Sequence, residues 1–279
     1  MERYQRRYLI RNWLDEEESK RQCKLRQRKD GMNPFWCSVF VACSLWSSSS
    51  TTPSQWGENV TGVVTHFQSN KKEIALTFDA CGGNPRSSQY DTGLIEFLIQ
   101  NHIPATLFIN ARWIDSNPDI FMQLSHNSLF EIANHGTAHK PLSIEGKNIY
   151  GIHGTASVDE VIAEIEGNNQ KIEKLTGKRP QFFRAGTAYY DENAVAIAHT
   201  LGMEIGGFSI LGDAGATFSA SKVTQQLISA RSGDIVICHM NHPEGGTREG
   251  IIEGVNVLLK EGFTFVRLSD VKKNLLRMP

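Results

Sequence analysis

The chain has 279 residues, 40% of them hydrophobic, with 29 basic and 30 acidic side chains and a formal net charge of −1. This length holds one large domain or two small ones, and the balanced charge excludes the basic excess of a nucleic-acid-binding protein. The five cysteines (Cys23, Cys37, Cys43, Cys81, Cys238) show no CxxC spacing and are too sparse for a disulfide framework, and no run reaches the ~18 apolar residues of a membrane-spanning helix.

Residues 1–31 are charge-rich without a helical stripe and form an N-terminal extension: an unusually long n-region, or sequence ahead of a true start at Met32. In residues 32–54 a short apolar run over 35–46 follows the basic KLRQRKDG and gives way to a Ser/Thr/Pro tract. A basic flank, a short apolar centre and small residues beyond it describe a secretory signal, and the serine tract reads as a linker. Export is therefore expected, to a periplasmic, membrane-anchored or extracellular place in a bacterial envelope. VFVAC resembles a bacterial lipobox ending at Cys43, with Phe40 where an aliphatic residue is usual. Membrane attachment is expected only through this signal or a lipid on Cys43.

Residues 70–279 read as one domain of alternating strand-like and helix-like segments. EIALTFD (73–79) is a short apolar run rich in strand formers. TGLIEFLIQNHI (92–103) has helical spacing at Leu94, Ile95, Leu98 and Ile99. ATLFIN (105–110) is a strand, PDIFMQLSHN (118–127) a helix and LFEIANH (129–135) a strand. A long helix follows over 157–178, opened by a capping box of Ser157 and Glu160 and stopped by Gly177. QFFRAG (181–186), MEIGGFSI (203–210), DIVICHM (234–240) and FTFVRLS (263–269) are the later strands, with helices at 191–202, 219–233 and 247–262. Such alternation implies a parallel sheet with right-handed crossovers. About seven units in ~200 residues fit a closed or nearly closed α/β barrel better than an open sheet, although doubly wound order is also compatible.

In such folds chemistry gathers at the carboxyl ends of strands. Here those ends carry Asp79, His135 with His139, Arg184, Asp213 a little past its strand, and His239. Asp79 is either a turn former before Gly82 and Gly83 or a catalytic carboxylate. His135 and His139 lie four apart, on one face of a helical turn or in one compact loop, where they could chelate a divalent metal. Glu131 or Asn134 could orient such a ligand. Arg184 either holds a carboxylate ionised and oriented or makes a surface ion pair. Asp213, in a Gly-rich loop, is a turn former or a partner for His239. By strand alternation His239 faces opposite Cys238, as a catalytic group or a satisfied core histidine. His242 and Glu244 bind substrate or are solvated. A Cys81–Cys238 disulfide at the barrel top is conceivable, although alternation turns Cys238 away.

Taken in order, TFDACGG, HGTAH, RAGTAYY, GDAGATFS and VICHM resemble the five motifs of the NodB-homology polysaccharide deacetylases, a family of metal-dependent carbohydrate esterases. The resemblance covers roughly residues 74–269. It implies a distorted (β/α) barrel of about seven parallel strands and removal of N-acetyl groups from the amino sugars of an envelope or extracellular polysaccharide. Asp79 would be the general base, His135 and His139 would bind the metal, zinc or cobalt, and Arg184 would hold the base. His239 would be the general acid, with Asp213 tuning it. Cleaving an acetamide needs an activated water, a stabilised oxyanion and a protonated leaving amine; a backbone N–H near Thr187 is the candidate oxyanion donor. Two departures matter. Ala80 stands where the family has a second, metal-binding aspartate, and Gly186 with Thr187 where it has a proline–tyrosine pair. With Ala80, the remaining ligand is Asp79 itself, water or Cys81. Two other readings stay open: an amidohydrolase acting on a small cyclic amide or a lipid-linked sugar, and a carbohydrate-binding pseudoenzyme.

Overall fold

The longest apolar strand segment of the sequence, Glu73–Ala80, sits at the middle of the sheet in the computed structural model, which describes residues 52–279. The signal-like segment, Cys43 and the charged extension lie outside the described residues. Pro53–Pro279 form one compact unit.

In chain order, β1 (Val64–Phe67) precedes the central β2 (Glu73–Ala80), followed by α1 (Thr92–Gln100) and β3 (Ala105–Ile109). Two short helices, α2 (Ala111–Ser116) and α3 (Pro118–His126), lead to β4 (Phe130–Asn134). A hairpin of β5 (Asn148–Ile149) and β6 (Ile152–His153) precedes the long α4 (Val158–Thr176). Then come β7 (Phe182–Phe183), α5 (Glu192–Thr200), β8 (Glu204–Ile205), β9 (Ile210–Leu211) and α6 (Ala220–Ile228). The chain ends with β10 (Ile235–His239), α7 (Thr247–Lys260), β11 (Thr264–Val266) and β12 (Leu275–Arg277).

The main sheet is parallel throughout and runs β8-β7-β4-β3-β2-β10-β9. One edge of β2 pairs with β10 over residues 75–79. Its other edge is shared, β11 taking residues 73–75 and β3 taking 77–80, which distorts the barrel. The outer strands β8 and β9 are joined by a short link, and β1 fills the gap between them. Val64 bridges Gly206 and its carbonyl accepts from the Gly207 amide at 2.8 Å, while His66 bridges Asp234. β12 pairs antiparallel with β1. The seven-strand order is thus a nearly closed (β/α) barrel, as the alternation implies. The segment 203–210, expected as one strand, is instead two short strands on opposite edges of the sheet, because the chain turns at Gly206–Gly207 to meet β1. Among the described residues no helix is long and apolar enough to cross a membrane.

Alternation along β2 decides what reaches the site. Ile74, Leu76, Phe78 and Ala80 pack outward against Leu94, Leu98, Val255 and Leu258 of α1 and α7. Thr77 and Asp79 therefore point into the barrel. Each large apolar side chain fully buried contributes roughly 1.5–3 kcal/mol, so a one-residue slip that drove Asp79 into that layer is strongly disfavoured. Inside the barrel, Val64, Phe67, Phe108, Phe182, Ile235 and Leu268 fill the floor below the polar groups.

α4 begins and ends where its sequence signals lie. Ser157 accepts from the Glu160 amide, and Gly177 closes the helix in the left-handed region (φ 70°). The reciprocal half of the box is displaced, with Glu160 reaching the amide of Ala156. The helix α2, not expected from periodicity, has six residues and is capped by Asn110.

Candidate active site

Asp79, the penultimate residue of β2, pairs in register with His239 at the end of β10. Asn134 of β4 pairs with Phe183 of β7, so the next residues on each strand, His135 and Arg184, are also neighbours. The strand ends therefore converge. Between them opens a cavity of about 350 Å³, lined among others by Asp79, Cys81, His135, His139, Thr187 and His239.

Arg184 is fully buried, with its guanidinium over the Phe108 ring at 4.0 Å. Nη1 donates to Asp79 Oδ1 (2.7 Å) and to Thr77 Oγ1 (2.9 Å), and Nε and Nη2 donate to the carbonyls of Gly206 (2.8 Å) and Gly207 (2.9 Å). A buried ion pair persists when its remaining donors are satisfied, as here. The surface-pair alternative for Arg184 is excluded. Asp79 is thereby fixed, with Oδ2 lying 3.7 Å from His135 Nε2.

His135 is buried, and its Nδ1 lies 2.9 Å from the Arg184 carbonyl. With Nδ1–H donating there, Nε2 presents its lone pair to the cavity. The ring of His139 stands at 84° to that of His135, with centroids 4.8 Å apart. Cys81 Sγ lies 3.8 Å from His135 Nε2, and one ligand atom each from Cys81, His135 and His139 fall within 4.8 Å of one another. Burial would raise the Cys81 thiol, but the charge of His139 and hydrogen bonds with His135, His139 and His239 hold it well below its ordinary range. Burial likewise opposes charge on His135, but the Asp79 carboxylate, Cys81 and the Arg184 carbonyl together raise the imidazole.

At the end of β10, His239 Nδ1 meets Asp213 Oδ1 at 2.9 Å, and the His239 backbone amide donates to Oδ2 at 2.6 Å. The Thr247 hydroxyl donates to the same oxygen at 2.9 Å. Asp213 is fully buried, so it is a partner for His239 and more than a turn former. Burial pushes His239 down, but the charge and hydrogen bond of Asp213, together with Cys81, hold the imidazole well above its ordinary range. His239 Nε2 is left free of Asp213, and the residue lines the cavity.

Both cysteines of the described residues are free, so the conceivable Cys81–Cys238 disulfide is not formed. Cys238 packs in the outer apolar layer with Leu76 and Phe78, whereas Cys81 faces the histidines. Alternation separates them.

Other placements differ from the sequence reading. Glu131 accepts from Thr106 Oγ1 (2.9 Å) and the Ser269 amide (3.0 Å) and lines a separate cleft. Asn134 instead organises the histidine loop, its Oδ1 accepting from the Gly136 amide at 2.7 Å. Glu244 pairs with Arg86 at 2.8 Å and His242 lies 3.3 Å from Glu244, and neither lines the cavity. Thr187 and Ala188 both adopt positive φ (71° and 55°). Strain of this kind costs about 1–3 kcal/mol per residue, and here it turns the segment toward the cavity. The Thr187 hydroxyl is buried without a partner. Gly186 lies directly under the His139 carbonyl, where any Cβ would collide; this accounts for the missing proline of the third motif.

Four contributors were not legible in the sequence. Glu164 of α4 accepts from the amides of Ala138 (2.9 Å) and Lys140 (3.0 Å), clamping the loop that carries His139. Thr247, the first residue of α7, carries no sequence signal that ties it to Asp213. Glu58 and Tyr150 line the cavity from outside the predicted elements.

Residues 67–206 match the sequence profile of the family described as polysaccharide deacetylase. The chain is 25% identical over 239 residues to the bifunctional xylanase/deacetylase of Pseudobutyrivibrio xylanivorans, an overlap covering 84% of this chain and 34% of that protein. It thus spans about a third of that relative's length. It is 21% identical over 209 residues to the peptidoglycan-N-acetylmuramic acid deacetylase PdaA of Bacillus subtilis, covering 72% of each. A family 4 carbohydrate esterase pseudoenzyme from Bacillus anthracis shares the fold, with a TM-score of 0.63, 20% identity, and coverage of 76% of this chain and 69% of that one.

Proposed function

The chain belongs to the polysaccharide deacetylase family, hydrolases of N-acetyl amide bonds, and from that premise we propose that it removes N-acetyl groups from amino sugars of an envelope or extracellular polysaccharide in a divalent-metal-dependent reaction. The observation that carries the reading is the convergence on one cavity of an Arg184-held carboxylate, two metal-type histidines and an Asp213-held histidine. The donor set suits the metal. Two imidazoles and a thiol within 4.8 Å of one another are ligands that zinc and cobalt favour. His135 and His139 would hold the ion, with Asp79 and Cys81 beside them.

When bound, a divalent ion supplies Lewis acidity, polarising a carbonyl and acidifying water. Asp79 Oδ2 takes the proton from the attacking water, while Arg184 keeps Oδ1 occupied and the carboxylate oriented. The main chain turned toward the cavity at Thr187 is the candidate oxyanion donor. Nε2 of His239 gives a proton to the leaving amine, and Asp213 fixes the ring from Nδ1. Phe208, Leu211 and Ile237 offer an apolar wall for an acetyl methyl group. At the rim, Tyr150, Tyr189 and Trp56 form a chain of edge and tilted ring contacts of 5.7–5.9 Å, suited to sugar faces. The signal-like segment 32–54 supports action outside the cytoplasm, with Cys43 as the candidate lipid site.

A second reading rests on Ala80: a carbohydrate-binding protein without the activity, the Bacillus anthracis structure being described as a pseudoenzyme of the same fold. The test is acetate release from N-acetylglucosamine oligomers by the full-length protein, before and after chelation and zinc return. Release that is lost with chelation and restored by zinc is the expected result. Sugar binding with no acetate would establish the pseudoenzyme, and turnover confined to small cyclic amides would move the substrate.

A further inference from the structure

We propose that Cys81 is a protein ligand of the metal, completing a Cys81–His135–His139 set and leaving Asp79 off the ion; the proposal rests on the metal-dependent reading above and names its third ligand.

Position 80 cannot serve along this strand path. Ala80 is fully buried in the outer apolar layer with Leu94, Ile109 and Trp113. Alanine offers no ligand atom, so the family's second aspartate has no counterpart at this position. The next position on the inward face is 81, and Cys81 stands there just beyond the end of β2. The turn behind it is built to hold it. Gly82 and Gly83 both have positive φ (69° and 94°), and a Cβ on Gly82 would collide with the backbone of Trp113. The glycines let the chain fold tightly against α2, which keeps Cys81 at the mouth of the cavity.

The Cys81–His135 separation is close to that of two ligands on one ion. Zinc bonds of about 2.0 Å to nitrogen and 2.3 Å to sulfur set a tetrahedral edge of roughly 3.5 Å. Cys81 Sγ and His135 Nε2 are 3.8 Å apart. Asp79 Oδ1 is committed elsewhere: its bond to Arg184 is part of a guanidinium network with four acceptors, all in the interior. Binding the ion through Oδ1 would unpair a buried arginine, and Oδ2, 3.7 Å from His135 Nε2, is the oxygen that serves as the base. Three protein ligands leave a fourth position open, the pattern of catalytic rather than structural zinc. A thiolate in the set also selects zinc or cobalt over magnesium and manganese.

X-ray absorption of the zinc-loaded full-length protein is expected to show one sulfur at about 2.3 Å, and the cobalt-loaded protein a thiolate-to-cobalt charge-transfer band in the near ultraviolet. Cys81→Ser abolishes both signals and weakens zinc beyond the roughly 10- to 100-fold loss typical of outer-shell partners. Cys81→Asp keeps cobalt without the band, and Asp79→Asn keeps the band. A wild-type shell of nitrogen and oxygen only, or a band that survives Cys81→Ser, overturns the proposal. These readouts need no substrate. A sulfur shell without acetate release keeps Cys81 and removes the deacetylase reading, whereas acetate release with no sulfur shell does the reverse.

Discussion

Asp213 accepts three hydrogen bonds with no exposed surface, two from His239 and one from Thr247. An amide in its place still accepts at one oxygen but turns an N–H toward a donor and removes the charge that holds His239 protonated. Asp213→Asn is expected to lower kcat by roughly 10²–10⁴-fold, the usual share of a positioned acid or base, with KM little changed. Steady-state kinetics on N-acetylglucosamine oligomers check it, and an unchanged kcat would remove Asp213 from the proton path. At this scale strand-end logic pointed to Asp79, His135, Arg184 and His239, because each directly follows or ends a β-forming run. Cys81 was harder to weigh, since only the packing of Ala80 shows which of the two neighbours faces inward. Glu164 is one of several acidic residues along α4, and periodicity cannot tell which of them meets a loop from a distant part of the chain.

Among elements, the loop from Gly136 to Lys140 depends on α4 for its shape. Glu164 takes the amides of Ala138 and Lys140, and Gly136 passes so close to its carboxylate that no side chain fits between. Removing that carboxylate leaves two amides without acceptors and frees the backbone around His139. Glu164→Ala is expected to weaken zinc roughly 10- to 100-fold, with Glu164→Gln restoring part of the loss because one amide oxygen still accepts. Competition with a chromophoric chelator measures both, and equal affinity in all three proteins would contradict this role. Long elements such as α4 and α7 were legible from caps and apolar spacing. Short ones were less so: β7 falls inside the expected strand 181–186, but β8 and β9 have two residues each, too few to carry a period, and the glycines at 206–207 hid a turn inside an apparent strand.

For the whole molecule, the near-closure of the barrel brings distant segments to one cavity. β1, with no clear sequence signal, fills the seam between the sheet edges, and its partner β12 lies at the far end of the chain. Alternation of strand and helix was enough to indicate a parallel barrel with chemistry at the carboxyl ends, but strand order, the divided edge of β2 and the seam depend on tertiary contacts. In this frame the central claim is that Asp79 acts as a base beside the ion without binding it. The most direct test compares acetate release and metal content of the wild type and Asp79→Asn, both full-length and zinc-loaded. The account predicts kcat lower by roughly 10²–10⁴-fold with one zinc retained per chain. Full turnover in Asp79→Asn, or loss of the zinc with the carboxylate, would contradict it.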